Sequence, residues 1–81
     1  MQSSEIIEKI RATLPDATVE VQDLTGGGDH FEALIVSKEF DGKNSVNRHR
    51  LIYGILQEEM KGAIHALTLK TFTPEEYRSN S

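Results

Sequence analysis

The segment at residues 31–37, with the sequence FEALIVS, is the feature that most constrains how this chain folds. Its later residues are apolar on both sides of an extended strand, which is typical of a strand in the centre of a sheet. A chain of 81 residues supports only one modest core. We therefore predict one domain over residues 1–81, built around a central strand.

Two elements precede this strand. Isoleucines recur with helical spacing from Ile6 onward, after a predicted N-cap at Ser4, and Pro15 ends this first helix. Alternation of apolar and polar residues over 18–22 predicts a strand with one buried face. A glycine-rich loop at 25–29 joins it to the central strand, so the two strands are expected to form an antiparallel hairpin.

The longest helical pattern runs from residue 46 to about residue 60. Its apolar arc consists of Val46, His49, Ile52, Tyr53, Leu56 and Met60. His49 is therefore expected to be a partly buried core residue rather than a ligand. Leu51 and Ile55 fall outside the arc, which predicts either a second covered side or a break near Gly54.

A third strand over 65–70 and a short last helix complete the chain. Thr73 is the predicted N-cap of this helix, Pro74 its first residue, and Glu76 the partner that completes a capping box. Only the last four or five residues are expected to form a loose tail.

The predicted fold class is α+β, with the order α-β-β-α-α-β-α and a three-stranded mixed sheet. The second and third strands are joined through a helix, which makes them parallel. His30 opens the second strand and His65 the third, so both lie at the same end of the sheet, on strands about 4.8 Å apart. A histidine at a strand end more often forms hydrogen bonds or is solvated. Imidazole is also a ligand for zinc, iron and copper, which makes this pair a candidate metal site.

The absence of cysteine limits that site. Two imidazoles form an incomplete ligand set, so a second molecule would have to supply the remaining ligands. The glycines at 26–28 lack the Gly-Lys-Ser/Thr ending of a phosphate-binding loop, and no serine lies in a nucleophile elbow. Neither motif therefore indicates an enzymatic reaction, and composition and spacing alone predict no more than a small soluble α+β domain.

Charge and hydropathy bear on nucleic-acid binding, membrane insertion and cellular location. The formal net charge of −4 argues against nonspecific binding of nucleic acid by the whole chain. Residues 38–70 are mildly basic, with six Lys and Arg residues against four acids, and Lys43, Arg48 and Arg50 lie there. No apolar run approaches the roughly 18 residues of a membrane span, and the first residues do not form a signal peptide. We expect a cytoplasmic protein that makes no use of membranes.

Four segments closely resemble the BolA family. They are residues 28–32 (GDHFE), 36–42 (VSKEFDG), 46–53 (VNRHRLIY) and 64–76 (IHALTLKTFTPEE). The short glycine-rich loop that leads into Asp29-His30 is most similar to the YrbA/IbaG branch. The resemblance implies the order α-β-β-α-α-β-α, similar to a type II KH domain, which agrees with the order read from the residues.

The resemblance also implies a function. Members of this family bind monothiol, CGFS-type glutaredoxins and act in iron–sulfur handling and the redox-stress response. The two proteins share a bridging [2Fe-2S] cluster, with thiolates from the glutaredoxin and from glutathione. A histidine near the C-terminus of the BolA-like partner binds the cluster, and His65 matches it. The isolated chain is expected to hold no cluster tightly, and a homodimer is a second expected assembly.

The second cluster ligand is implied less directly. It comes from the loop before the second strand or from the start of that strand. Gly28 occupies roughly the position at which some members carry Cys, and His30 is the nearest substitute. The resemblance also implies an alternative function, a morphogen-type transcriptional regulator that binds DNA. Lys43, Arg48 and Arg50, on or beside the long helix, are the candidate residues for that contact.

Overall fold

The computed structural model describes residues 1–79, and its elements follow the order expected from the sequence. They are α1 (Ser3–Thr13), β1 (Thr18–Asp23), β2 (His30–Val36), the 3-10 helix η1 (Lys38–Phe40), α2 (Ser45–Ile55), α3 (Gln57–Met60), β3 (Ala66–Phe72) and α4 (Pro74–Ser79). The prediction of an α+β chain is confirmed. The prediction that the last four or five residues form a loose tail is wrong for the first of them, because α4 runs to Ser79. Residues 80–81 lie outside the described residues.

The sheet has the strand order β1-β2-β3, with β2 in the centre as its apolar sequence predicts. β1 pairs with β2 in the antiparallel direction, and β3 pairs with β2 in the parallel direction. Three alternate residues of β2, Phe31, Ala33 and Ile35, are buried in the core. This mixed sheet brings the beginnings of β2 and β3 to one end and their last residues to the other.

The core lies between the sheet and the two longer helices. α1 contributes Ile6 and Ile10, and α2 with its C-cap contributes Ile52 and Leu56, all fully buried. The predicted arc of the long helix is wrong at Val46 and Tyr53, which are 57% and 39% exposed. Leu51 and Ile55 instead pack partly against the core, so the helix is covered on a second side.

Two helix boundaries differ from the sequence prediction. α1 has Gln2 as its N-cap rather than Ser4, because the Gln2 amide donates to Glu5 Oε1 at 2.8 Å. The long helical segment breaks at Leu56, two residues after the expected position at Gly54. The backbone of Leu56, with φ −98° and ψ 19°, leaves the α-helical region while its side chain remains in the core.

The 3-10 helix after β2 was not predicted. Ser37 is fully buried at its N-cap, and the Ser37 hydroxyl accepts a hydrogen bond from the Glu39 amide. The Asp16 carboxylate accepts hydrogen bonds from the Ser37 hydroxyl and from the Lys38 amide. These hydrogen bonds lower the pKa of Asp16, and the one from the Lys38 amide has the largest effect. Over residues 1–79, no helix combines the length and the apolar character that a membrane span requires.

Candidate functional site

His30 and His65 come together at the end of the sheet where β2 and β3 begin. His30 is the first residue of β2, and His65 directly precedes β3, where Ala66 is paired with His30. The two imidazole centroids are 5.1 Å apart, and the ring planes are inclined by 58°. The expected proximity of the two histidines, derived from a parallel strand pair, is therefore present. His65 is exposed and His30 is half-buried.

Asp29 contacts both histidines. Its backbone carbonyl accepts hydrogen bonds from the His65 amide at 2.7 Å and from the Ala66 amide at 3.1 Å. Its carboxylate atom Oδ1 lies 2.9 Å from His30 Nδ1 and accepts a hydrogen bond from the Thr25 hydroxyl at 3.2 Å. The adjacent His30 imidazole is the main reason that the pKa of Asp29 is lowered. We did not predict a role for Asp29 from the sequence.

The Asp23 carboxylate forms most of the side-chain hydrogen bonds that hold the glycine-rich loop beside the histidines. Asp23 accepts hydrogen bonds from the amides of Thr25 at 3.3 Å, Gly26 at 2.9 Å and Gly28 at 2.9 Å. The loop is thus fixed to the last residue of β1, and it leads directly into Asp29. An aspartate before a glycine-rich turn is a recognisable signal for this kind of cap.

Gly28 is confined by its backbone conformation and by its neighbour. Its φ is +76°, and a Cβ at this position would lie 2.9 Å from the backbone oxygen of Met1. The Met1 nitrogen donates a hydrogen bond to the Gly28 carbonyl at 3.0 Å. A side chain here, including the cysteine that the family resemblance suggests in some members, would require the N-terminal segment to move. Among the candidate second ligands, the local geometry therefore favours His30 over position 28.

The spacing of the histidines suits a shared metal ion. Two imidazoles on one tetrahedral ion, with metal–nitrogen bonds of about 2.0 Å, have their ring centroids roughly 5 Å apart. The observed 5.1 Å matches this value. Within residues 1–79, no group of three or more His, Cys, Asp or Glu side chains is arranged to hold a metal ion. Two imidazoles thus lie side by side at this end of the sheet, and in the described residues no third side chain of this kind is arranged with them.

Arg48 lies at the opposite end of the sheet, where it joins several elements. Its guanidinium forms a two-pronged ion pair with Glu76 in α4, with distances of 2.7 and 3.2 Å. It also donates to the carbonyl oxygens of Lys43 at 2.8 Å and Thr71 at 3.4 Å, and it lies 5.8 Å from the ring centroid of Phe40. The Arg48 side chain is only 12% exposed. The Arg48 guanidinium is the main cause that lowers the pKa of Glu76 to about 2.

This arrangement changes the interpretation of the basic segment. Arg48 was a candidate for nucleic-acid contact, but its charge is compensated by Glu76 and its hydrogen bonds are used within the chain. Lys43 and Arg50 are exposed, while His49 is half-buried on α2. Of the three basic candidates, Arg48 is therefore engaged within the chain, whereas Lys43 and Arg50 are exposed.

The comparisons with known proteins identify relatives of similar sequence and fold. A family model described as BolA-like protein matches residues 8–76. The chain is 39% identical over 79 residues to the DNA-binding transcriptional regulator BolA of Escherichia coli, covering 89% of this chain and 75% of that protein. It is 34% identical over 80 residues to BolA-like protein 1 of Homo sapiens, covering 90% of this chain but only 58% of that protein.

A solved structure supports the same relationship. The crystal structure of a bol-like protein from Babesia bovis matches with a TM-score of 0.87 and 36% sequence identity. The match covers 99% of this chain and 93% of that chain. The match therefore spans the sheet and the helices of the described chain.

Proposed function

The chain belongs to the BolA-like family, and we propose that it is a non-enzymatic partner of a monothiol, CGFS-type glutaredoxin. In this proposal the two proteins form a heterodimer that shares a [2Fe-2S] cluster in iron–sulfur trafficking and the redox-stress response. His65 is the first cluster ligand of this chain and His30 the second. The observation that carries the proposal is the pair of imidazoles at one sheet end, with centroids 5.1 Å apart.

The composition of the ligand set supports a partner. Iron–sulfur clusters are held mainly by thiolates, and this chain has no cysteine. Two imidazoles can replace two thiolates on one iron, as they do in Rieske-type centres. The remaining two ligands would be the thiolates of the glutaredoxin and of glutathione. When bound, such a cluster would supply one-electron redox chemistry or serve as cargo for transfer.

The residues of this chain have a defined task in that assembly. His65 is exposed, so a partner can approach it without unfolding β3. The backbone hydrogen bonds of Asp29 hold the start of β3 against the start of β2, so the two imidazoles stay side by side before a partner arrives. Little ordering is then needed on binding, which favours association.

The test is anaerobic reconstitution of the full chain with a CGFS glutaredoxin, glutathione, iron and sulfide. We expect a heterodimer whose visible absorption and circular dichroism spectra differ from those of the glutaredoxin-only cluster, since imidazole replaces some of the thiolate ligands. The chain alone, treated identically, should retain no stoichiometric cluster. A stable cluster on the isolated chain, or a mixture with the unchanged glutaredoxin spectrum, would contradict the proposal.

A second candidate function is DNA binding, because the Escherichia coli relative is named a DNA-binding transcriptional regulator. Lys43, Arg48 and Arg50 are the candidate contacts in this chain. The engagement of Arg48 with Glu76 leaves Lys43 and Arg50 as the more available cations of the three. The net charge of −4 would confine the contact to this small surface.

A mobility-shift assay at several salt concentrations distinguishes this candidate. Binding through Lys43 and Arg50 should weaken as salt rises, and the double variant Lys43→Ala, Arg50→Ala should reduce the salt slope by about two units. The same variant should leave cluster formation with the glutaredoxin intact. Loss of DNA affinity together with an unimpaired glutaredoxin complex would favour the regulator as the function.

Three finer assignments belong to the same proposal. The short glycine-rich loop before His30 favours the YrbA/IbaG branch of the family. A cytoplasmic location is also part of this proposal. A homodimer is the alternative assembly in the absence of that partner, and size-exclusion chromatography with light scattering would detect it.

A further inference from the structure

A single residue, Asp29, touches both histidines of the pair. Its carbonyl oxygen accepts hydrogen bonds from the His65 and Ala66 amides, which fixes where β3 begins relative to β2. Its Oδ1 atom lies 2.9 Å from His30 Nδ1 and is itself restrained by the Thr25 hydroxyl. The backbone of Asp29 therefore positions His65, while its side chain contacts His30.

The contact with His30 has a consequence for the imidazole tautomer. The Nδ1 atom of His30 is shielded from solvent. Asp29 Oδ1 is close to it, but the direction from Nδ1 to this oxygen departs from that of a well-aligned hydrogen bond. If Nδ1 carried no proton, its partial negative charge would lie 2.9 Å from the carboxylate oxygen, and the two atoms would repel each other. A proton on Nδ1 turns this repulsion into attraction. In the neutral imidazole, Nε2 is then the nitrogen with the free lone pair.

We propose that Asp29 is the positioning residue of the histidine pair. Its carboxylate holds His30 as the Nδ1–H tautomer and thereby makes Nε2 the metal-binding nitrogen, while its carbonyl sets the position of His65. Carboxylate–histidine contacts of this kind orient metal ligands in many proteins. The ligand role of the histidines rests on the proposed function, but the tautomer is a property of this chain by itself.

The first experiment uses the full chain without metal or partner. Long-range ¹H–¹⁵N correlation spectra, recorded at a pH at which the spectra themselves show a neutral imidazole, report which nitrogen of His30 carries the proton. We expect Nδ1–H in the wild-type chain and a shift toward Nε2–H in Asp29→Ala. Asp29→Asn keeps the size and one acceptor oxygen, and it should retain more of the Nδ1–H form than Asp29→Ala. A wild-type chain with Nε2–H, or an Asp29→Ala chain with an unchanged tautomer, overturns the proposal.

A matched control separates positioning from general loss of stability. Asp16→Ala also removes a carboxylate that accepts several hydrogen bonds, but it does so beside Ser37 and Lys38. It should leave the His30 tautomer as in the wild-type chain. Asp29→Ala is expected to fold, because the Asp29 side chain is 49% exposed and its backbone carbonyl remains. A tautomer shift of equal size in Asp16→Ala would contradict a specific role of Asp29.

The second experiment uses the heterodimer with the glutaredoxin. Changes in residues that orient metal ligands commonly cost 10-fold or more in affinity, so the cluster of Asp29→Ala should be lost about 10-fold faster than that of the wild-type chain. Asp16→Ala should match the wild type. If His30→Ala shortens the cluster lifetime and Asp29→Ala does not, the positioning role is refuted. If the wild-type chain forms no shared cluster, the proposed function fails, and the tautomer measurement still decides the role of Asp29.

Discussion

The two ends of the sheet have opposite characters. At the end where β2 and β3 begin, His65 is exposed and the two imidazoles have few partners besides Asp29. At the end where these strands finish, Arg48 joins four other residues by hydrogen bonds, an ion pair and a ring contact. At the first end the Asp23 and Asp29 oxygens hold the loop and the strand starts while the two imidazole rings join no further element of the described chain, whereas at the second end the charged Arg48 side chain itself joins several elements. In the proposed function, binding and stability are thus assigned to different ends of the sheet.

The largest expected effect concerns only the end of the sheet where His30 and His65 lie, which we call the histidine end. His65→Ala should abolish the shared cluster or make it labile, because it removes one of the two ligands this chain can offer. The free energy of unfolding should change by less than about 0.5 kcal/mol, since the side chain is exposed. Cluster spectra and urea denaturation measure the two quantities on the same preparation.

His49→Ala is the control, because it removes an imidazole on α2 that is not part of the pair. It should leave the cluster spectrum unchanged. A His65→Ala chain that unfolds, while its folded fraction still carries a normal cluster, would show that His65 has a structural role and that the two ends are not divided as we describe.

At the other end of the sheet, the arginine end, a substitution of Arg48 should lower stability and leave the cluster unchanged. Arg48→Ala should lower the free energy of unfolding by about 2 kcal/mol, because it removes a two-pronged ion pair and hydrogen bonds to backbone carbonyls from a side chain that is only 12% exposed. Arg50→Ala on the exposed side of α2 should cost no more than about 0.5 kcal/mol. Both variants should bind the cluster normally in the heterodimer at a temperature where they are folded. A loss of cluster in Arg48→Ala would mean that the two ends are coupled.

The division between the ends was only partly predictable from the sequence. The parallel pairing of β2 and β3 follows from the helical segment between them, and that pairing alone brings His30 and His65 to one end. The Thr73–Glu76 capping box is also recognisable from local spacing, and it is confirmed by the hydrogen bonds in both directions between these residues. Short-range patterns and strand topology were therefore sufficient for these features.

The long-range side-chain contacts were not predictable in the same way. Arg48 and Glu76 are 28 positions apart, and an arginine among polar helix residues is typical of a solvated face. Its burial depends on how α4 returns over the end of β3, which no local pattern specifies. Asp29 was missed for a related reason, because its contact with His65 runs through a backbone carbonyl and does not depend on its residue type.

The glycine loop offers a smaller test of the histidine end. Gly28 and Gly26 share a φ of +76°, but a Cβ would contact Met1 at Gly28 and meet nothing within 4 Å at Gly26. Gly26→Ala should therefore cost only the backbone strain of about 1 kcal/mol. Gly28→Ala should cost more, and the difference between the two variants, measured by urea denaturation, isolates the contact with Met1. Equal losses would show that the N-terminal segment moves aside freely and that position 28 can accommodate a side chain.

The last prediction concerns how the stability that Glu76 contributes at the arginine end depends on pH. This contribution should hardly change with pH near neutrality and should fall in acid, which makes it the sharpest test of that end. The pKa of Glu76 is lowered from 4.5 to about 2, so this carboxylate contributes stability above pH 4.5 and loses that contribution as the pH falls toward 2. Glu76→Gln keeps an acceptor for the Thr73 amide but removes the charge that pairs with Arg48. The difference in unfolding free energy between the wild type and Glu76→Gln should be constant between pH 5 and 7 and shrink below pH 4.5. In an Arg48→Ala background the difference should be smaller but still present, because the Thr73 amide also donates to this carboxylate. A difference in the wild-type background that does not depend on pH would mean that the ion pair with Arg48 does not hold the arginine end.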